Sequence, residues 1–174
     1  VKELFKMNSK FAVSLMVKNP SEVLTRISSL MTQRNFVIDT FSLGETEKSG
    51  YARVTITIKG DEHQREQLLK QLSKLYDVKK AELLEPDNTI MRELMIVKVN
   101  TSGRLREVLD TAAVYKSKIL DMSPSSVCME LTGETGKLDA FLNCIRDYGI
   151  LECCRTGLVA LERGTNCLFD TATA

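Results

Sequence analysis

One order of elements, strand–helix–strand–strand–helix–strand, can be read twice along this chain, and that doubling constrains the fold more than any single motif. The first pass opens at Phe11–Val17. There Phe11, Val13, Leu15 and Val17 alternate with Ala12, Ser14 and Met16, the period of a strand, with both faces largely apolar. Asn19-Pro20-Ser21-Glu22 then reads as a helix start, with Asn19 as N-cap, Pro20 at the first helical position and Glu22 at the third. Leu24, Ile27, Leu30 and Met31 follow at helical spacing. Phe36–Leu43 and Tyr51–Ile58 form a hairpin across the polar stretch Gly44–Gly50, the second strand carrying the β-branched run Val54–Ile58. Asp61 precedes a second helix with Leu68, Leu69, Leu72 and Leu75 on its apolar face, and Val78–Leu84 closes the unit.

The second pass follows a short linker at Pro86–Ile90. Glu93–Val99 is a strand, and Gly103–Lys116 is a helix through Leu105, Val108, Leu109 and Ala112. Lys118–Met122 and Val127–Leu131 pair around Ser123-Pro124-Ser125-Ser126. Thr135–Tyr148 is helical through Leu138, Phe141, Leu142 and Ile145 and is ended by Gly149, after which Ile150–Leu161 supplies the last strand or two. The expected class is α+β: two ferredoxin-like βαββαβ units of about 75 residues, each an antiparallel sheet with both helices on one face. The expected boundaries are an N-terminal extension at 1–9, a first domain at 10–85, a linker at 86–91, a second domain at 92–164 and a tail at 165–174. Val1–Lys6, ahead of Met7, read as sequence upstream of the fold. Because Phe11–Val17 is apolar on both faces, the far face of its sheet must be covered, which points to an oligomer.

Charge and composition narrow the function. Lys plus Arg is 24 against 23 for Asp plus Glu, so the chain lacks the positive field of a nucleic-acid or anionic-membrane binder. Its inner strands carry aliphatic residues and Thr where an RNA-reading sheet needs aromatic platforms. The one histidine, His63, sits in the polar helix start Asp61–Arg65 and reads as solvated. Neither a G-x-S-x-G nor a phosphate-loop motif occurs, which favours a binding or regulatory module over a catalyst. No apolar run approaches the roughly 20 residues of a membrane span. The five cysteines form no C-x-x-C pair and read as reduced, mostly packed thiols of a cytoplasmic protein without a metal site.

The segment left with potential chemistry is the strand-to-helix junction Val17–Leu24. Amide N–H groups at a helix start attract carboxylates and could hold that of an amino acid. A well-capped helix that binds nothing accounts for the same residues equally well.

Six blocks in order carry a resemblance: NPSEVLTRI at 19–27, RNFVIDT at 34–40, QLSKLYD at 71–77, RELMIVKV at 92–99, TGETGKLDA at 132–140 and RTGLVA at 155–160. Over about 10–164 the chain resembles the small regulatory subunits of acetolactate synthase (acetohydroxyacid synthase), whose N-terminal half is an ACT domain. The resemblance implies a subunit without an active site or cofactor of its own. It would bind and activate the catalytic subunit that makes the precursors of valine, leucine and isoleucine from pyruvate and 2-oxobutyrate. Thiamine diphosphate, magnesium and FAD would sit on that partner. It also implies a homodimer through ACT domains, with an end-product amino acid, usually valine, bound between two protomers.

Asn19, Ser21 and Leu24 match the family's junction motif, and Arg34, Phe36 and Ile38 match the motif after the first helix. Two positions depart: Glu22 stands where the family has Gly, and Val37 where it has Asn. The candidate effector site is therefore a degenerate one, made of Asn19, Ser21, Glu22, Val23, Leu24, Val37 and Ile38. Glu22 is expected to make a capping-box-like contact and to repel an effector carboxylate, and Val37 to lack a useful amide. Weakened valine feedback follows, unless Glu22 instead meets an amino group and shifts the preference. The other readings are a free-standing amino-acid-sensing ACT protein that regulates another enzyme, and a small-molecule enzyme, for which no convergent polar pocket is visible.

Overall fold

The structure, a computed structural model, describes residues 9–168, so the expected extension and tail fall outside it at 1–8 and 169–174. The doubled order is present. β1 (Ser9–Lys18), α1 (Pro20–Gln33), β2 (Val37–Glu45), β3 (Tyr51–Gly60), α2 (Glu62–Leu72) and β4 (Val78–Leu84) build an antiparallel sheet in the order β2-β3-β1-β4. β5 (Thr89–Asn100), α3 (Leu105–Tyr115), β6 (Lys118–Met122), β7 (Ser126–Gly133), α4 (Thr135–Ile145) and β8 (Ile150–Arg155) repeat it as β6-β7-β5-β8. A last short strand, β9 (Val159–Glu162), follows.

In the first unit Val13, Leu15 and Val17 of β1 lie opposite Ile56, Val54 and Ala52 of β3. They meet Val23, Ile27 and Met31 of α1 and Leu68 and Leu72 of α2 in one buried cluster. The buried stripe of α1 thus starts at Val23, while Leu24, expected on it, is 40% exposed. Spacing of i, i+4, i+8 satisfies the helical period as well as the sequence reading did, and packing decides between them. α2 begins with a full capping box: Asp61 Oδ1 accepts the Gln64 N–H at 2.8 Å, and Gln64 Oε1 accepts the Asp61 N–H at 3.0 Å. Gly60 makes room for it, since a Cβ there would stand 2.7 Å from Gln64 Oε1.

Both faces of β1 are buried, and the second face is covered by this chain itself. Ala12, Ser14 and Met16 are buried with Thr55 and Thr57 of β3, as are Leu158, Ala160 and Leu168 from the C-terminal segment. That segment is pinned to three strands of the first sheet. The Leu158 N–H donates to Thr40 Oγ1 on β2 at 3.4 Å, Arg53 Nη1 on β3 to the Ala160 carbonyl at 3.2 Å, and Lys80 Nζ on β4 to the Cys167 carbonyl at 3.3 Å. Arg53 also donates to Ser14 Oγ at 3.2 Å, and burial pushes its guanidinium below the ordinary arginine pKa. The cover is supplied within the chain, so the apolar second face of β1 does not by itself require an oligomer. In compactness, the residues from Leu158 onward pack with the unit that runs to Ile90, and Met91–Gly157 forms the other.

The second unit has its own core of Met95, Val97 and Val99 on β5, Val127, Met129 and Leu131 on β7, and Leu138, Phe141 and Ile145 on α4. Three of the sequence blocks meet at one ion-pair network beside it. The buried Glu93 carboxylate accepts from Arg155 Nε at 2.8 Å and Nη2 at 2.7 Å, and from Thr135 Oγ1 at 3.3 Å. Arg155 Nη1 also reaches Asp139 Oδ1 at 2.7 Å. This bidentate geometry with a buried carboxylate holds the guanidinium above its usual pKa.

Two outcomes follow for equilibrium unfolding in urea. Arg53→Met, which keeps the aliphatic stem and removes the donors, should cost about 1.5–3 kcal/mol and raise binding of an apolar dye; an unchanged midpoint would show that Arg53 does not hold the segment. Glu93→Ala removes the buried acceptor of Arg155 and Thr135 while Asp139 still meets the guanidinium, and should cost about 1.5–3 kcal/mol; a loss below about 1 kcal/mol, the range of surface pairs, would make the network peripheral.

Candidate functional site

At the β1–α1 junction Asn19 adopts φ 55°, ψ 65°, a left-handed conformation that Asn tolerates better than most residues. Its carbonyl accepts the N–H groups of Glu22 at 3.1 Å and Val23 at 3.3 Å. Its side chain does not cap the helix. Nδ2 points to the buried Asp77, donating to Oδ1 at 3.2 Å, and the Asp77 carbonyl accepts the Lys18 N–H at 2.8 Å. Asn19 therefore occupies the expected N-cap position, but its side chain ties the junction to the residue preceding β4.

The capping-box contact expected of Glu22 does not form either. Its carboxylate leans one turn along α1 to Arg26, 3.7 Å away, and its side chain is 66% exposed. Arg26 in turn stands 3.9 Å from Asp77 Oδ2, a buried oxygen without a hydrogen-bond partner. Among the first residues of α1, Pro20 has no N–H and those of Glu22 and Val23 are taken, so Ser21 supplies the open amide. The Val23 side chain is fully buried in the core, which leaves Ser21, Glu22 and Leu24 to face a ligand.

Val37 and Ile38 lie elsewhere. On the edge strand β2 they pair with Lys59 and Ile58, and Lys59 is opposite Lys10 on β1, whereas the Asn19 junction adjoins Lys18, opposite Tyr51. Eight residues of strand at about 3.3 Å each put roughly 26 Å between the two groups within one chain. The structure therefore does not bring the seven residues together. Val37 is 61% exposed and Ile38 37%. A bulge at Asp39 follows them, pinned by Lys10 at 2.8 Å and Lys59 at 3.6 Å. The hydrogen bond from Lys10 holds the Asp39 carboxyl below its usual pKa, so this corner carries a fixed charge trio.

Sequence reasoning missed Asp77 and the role of Arg26. The spacing of Glu22 and Arg26, one helical turn, was the available signal for the second; nothing local announces the first. The thiols were misjudged as well: Cys144, Cys153, Cys154 and Cys167 are exposed and Cys128 is half-buried. An edge position accounts for two of them, since Cys153 and Cys154 sit on β8 at the border of the second sheet. Among the described residues no three His, Cys, Asp or Glu side chains gather in a way that could hold a metal ion, and no helix is long and apolar enough to cross a membrane.

Comparison with known proteins adds the context. A family model described as the small subunit of acetolactate synthase matches residues 92–164, and one described as an AHAS small subunit-like ACT domain matches 13–80. A probable acetolactate synthase small subunit from Methanothermobacter thermautotrophicus is 41% identical over 88% of this chain and 92% of its own. The acetolactate synthase isozyme 3 small subunit of Escherichia coli is 39% identical over 87% of this chain and 94% of its own. The crystal structure of an acetolactate synthase small subunit from Thermotoga maritima superposes with a TM-score of 0.84 at 32% identity, covering 91% of this chain and 99% of that one.

The Asn19 geometry is testable by a pair of variants. Asn19→Gly keeps the left-handed backbone and removes the bond to Asp77, whereas Asn19→Ala also adds strain of about 1–2 kcal/mol. Asn19→Ala should therefore unfold at lower urea than Asn19→Gly; the reverse order would contradict the left-handed assignment.

Proposed function

The chain belongs to the acetolactate synthase small-subunit family, and on that premise we propose that it docks on and activates the family's catalytic subunit while responding weakly to valine. It is the non-catalytic regulatory subunit of that enzyme. The observation that carries docking and activation is the agreement over nearly the whole chain, with both family models matched in order. Under this proposal thiamine diphosphate, magnesium and FAD belong to the catalytic partner in the cytoplasm, and this chain's contribution is contact.

The split geometry supports a homodimer as the sensing unit. With roughly 26 Å between the two halves of the candidate site in one chain, an effector could touch both only where Asn19–Leu24 of one protomer meets Val37 and Ile38 of its partner. β2 is an edge strand with exposed apolar side chains, which suits that meeting.

The weak response to valine rests on Glu22. One open amide, that of Ser21, remains for an effector carboxylate, and Glu22, the next residue along the chain, carries its charge on the same first turn, leaning toward Arg26 at 3.7 Å. Two like charges about 4 Å apart interact by about 4 kcal/mol at an effective dielectric of about 20. Exposure and Arg26 reduce this, but about 1.4 kcal/mol is already a tenfold loss of affinity. At the other half, Val37 offers no amide to hydrogen-bond the ligand.

Mixing this chain with an acetolactate synthase catalytic subunit should raise acetolactate formation, and added valine should leave the rate nearly unchanged. Absence of both complex and activation would overturn the docking proposal. By titration calorimetry the unmodified protein should bind valine poorly, and Glu22→Gly with Val37→Asn should tighten binding about tenfold or more. Micromolar affinity before mutation would refute the weakened response.

A further inference from the structure

The far end of α1 carries a second feature, unrelated to the junction. A groove there is lined by Arg34 and Phe36, which follow α1, and by Gln67, Lys70, Gln71 and Lys74 on and just beyond α2. The spacing of the last four, i, i+3, i+4, i+7, puts them on one helical face opposite Arg34. The lining holds three cations and no acid. Lys70 meets Glu66 at 3.6 Å, with both side chains mostly exposed, while Arg34 and Lys74 have no ion-pair partner among the described residues.

These cations are not needed to finish the helices. The carbonyls at the two helix ends are already met by backbone donors: Arg34 N–H reaches Leu30, Phe36 N–H Met31, Ser73 N–H Leu69 and Lys74 N–H Gln71. Like charges gathered in a concave site repel one another and concentrate counter-ions. The donors are also of complementary kinds, with one planar guanidinium for paired oxygens, two compact ammonium groups and the side-chain amides of Gln71 and Gln67, the latter also 2.9 Å from His63 Nε2.

The geometry points to this groove as a binding site for a small phosphorylated anion, held by Arg34, Lys70 and Lys74 with Gln67 and Gln71 as neutral donors. It lies at the opposite end of the 14-residue α1 from Glu22, roughly 20 Å along the helix axis at 1.5 Å per residue. It is therefore remote from the Asn19–Leu24 half of the candidate effector site, although Phe36 directly precedes Val37 of the other half.

The test is a titration of the full chain with inorganic pyrophosphate, followed by phosphorus NMR and calorimetry at two salt concentrations. Saturable binding that weakens with salt is expected. Arg34→Gln and Lys74→Gln should each lower affinity severalfold, and the triple variant with Lys70→Gln by at least about tenfold, at unchanged circular dichroism. Glu22→Gly alone, at the other end of α1, should leave it unaltered. Three results would overturn the assignment: no saturable binding up to about 10 mM, binding indifferent to the three substitutions, or equal binding of an acidic peptide of the same charge, which would make the groove a protein-docking patch.

Discussion

The first unit depends on a central strand without a polar face. Alternation sends Val13, Leu15 and Val17 toward the helices and Ala12, Ser14 and Met16 the other way, and all six are buried. Burial on both sides demands a layer on both sides. The helices supply one, and Leu158–Leu168 lies on the other. The polar groups trapped beneath that second layer must then find partners in place. Thr57 Oγ1 takes the Thr40 N–H at 2.9 Å, and Ser14 takes a proton donor from Arg53. Arg53 is accordingly a half-buried cation that binds carbonyl and hydroxyl oxygens, with Glu47, Glu82 and Glu162 acting on it at longer range.

The position of the edge strand shapes the regulatory reading. β2 runs antiparallel to β3, so its first residues lie at the end of the sheet remote from the start of α1. If one effector is to touch both, association and sensing become a single event. Affinity for the ligand then includes the free energy of assembling its two halves. Under the proposed function, Glu22 would act on one half and Val37 on the other, so the two departures from the family pattern would weaken the site from both sides.

Much of this was legible in the sequence, and the reasons for the rest are specific. β4 and β6 fall where periodicity placed them, and the Asp61 cap has the expected local signature. Local rules failed where a distant residue competes. Asn19 is a good N-cap residue by type, but Asp77, 58 positions away, takes its amide. Glu22 had two available partners within one turn, and the cation won over the backbone. The cover on β1 was legible as a need and illegible as a source, because Leu158, Ala160 and Leu168 follow a whole intervening unit. The separation of Val37 from Asn19 was implicit in antiparallel order and becomes clear only when the register is counted.

That intervening unit has a consequence for how the protein is made. A ribosome releases the first six elements long before Leu158, and Met91–Gly157 must be synthesised in between. At about 5–20 residues per second, the far face of β1 stays bare for roughly 3–13 s, with Ala12, Met16 and Leu84 open to water or to a neighbouring chain. Synthesis of this fold therefore includes an interval in which the cover of the first sheet does not yet exist, and that interval lengthens with the unit inserted before it.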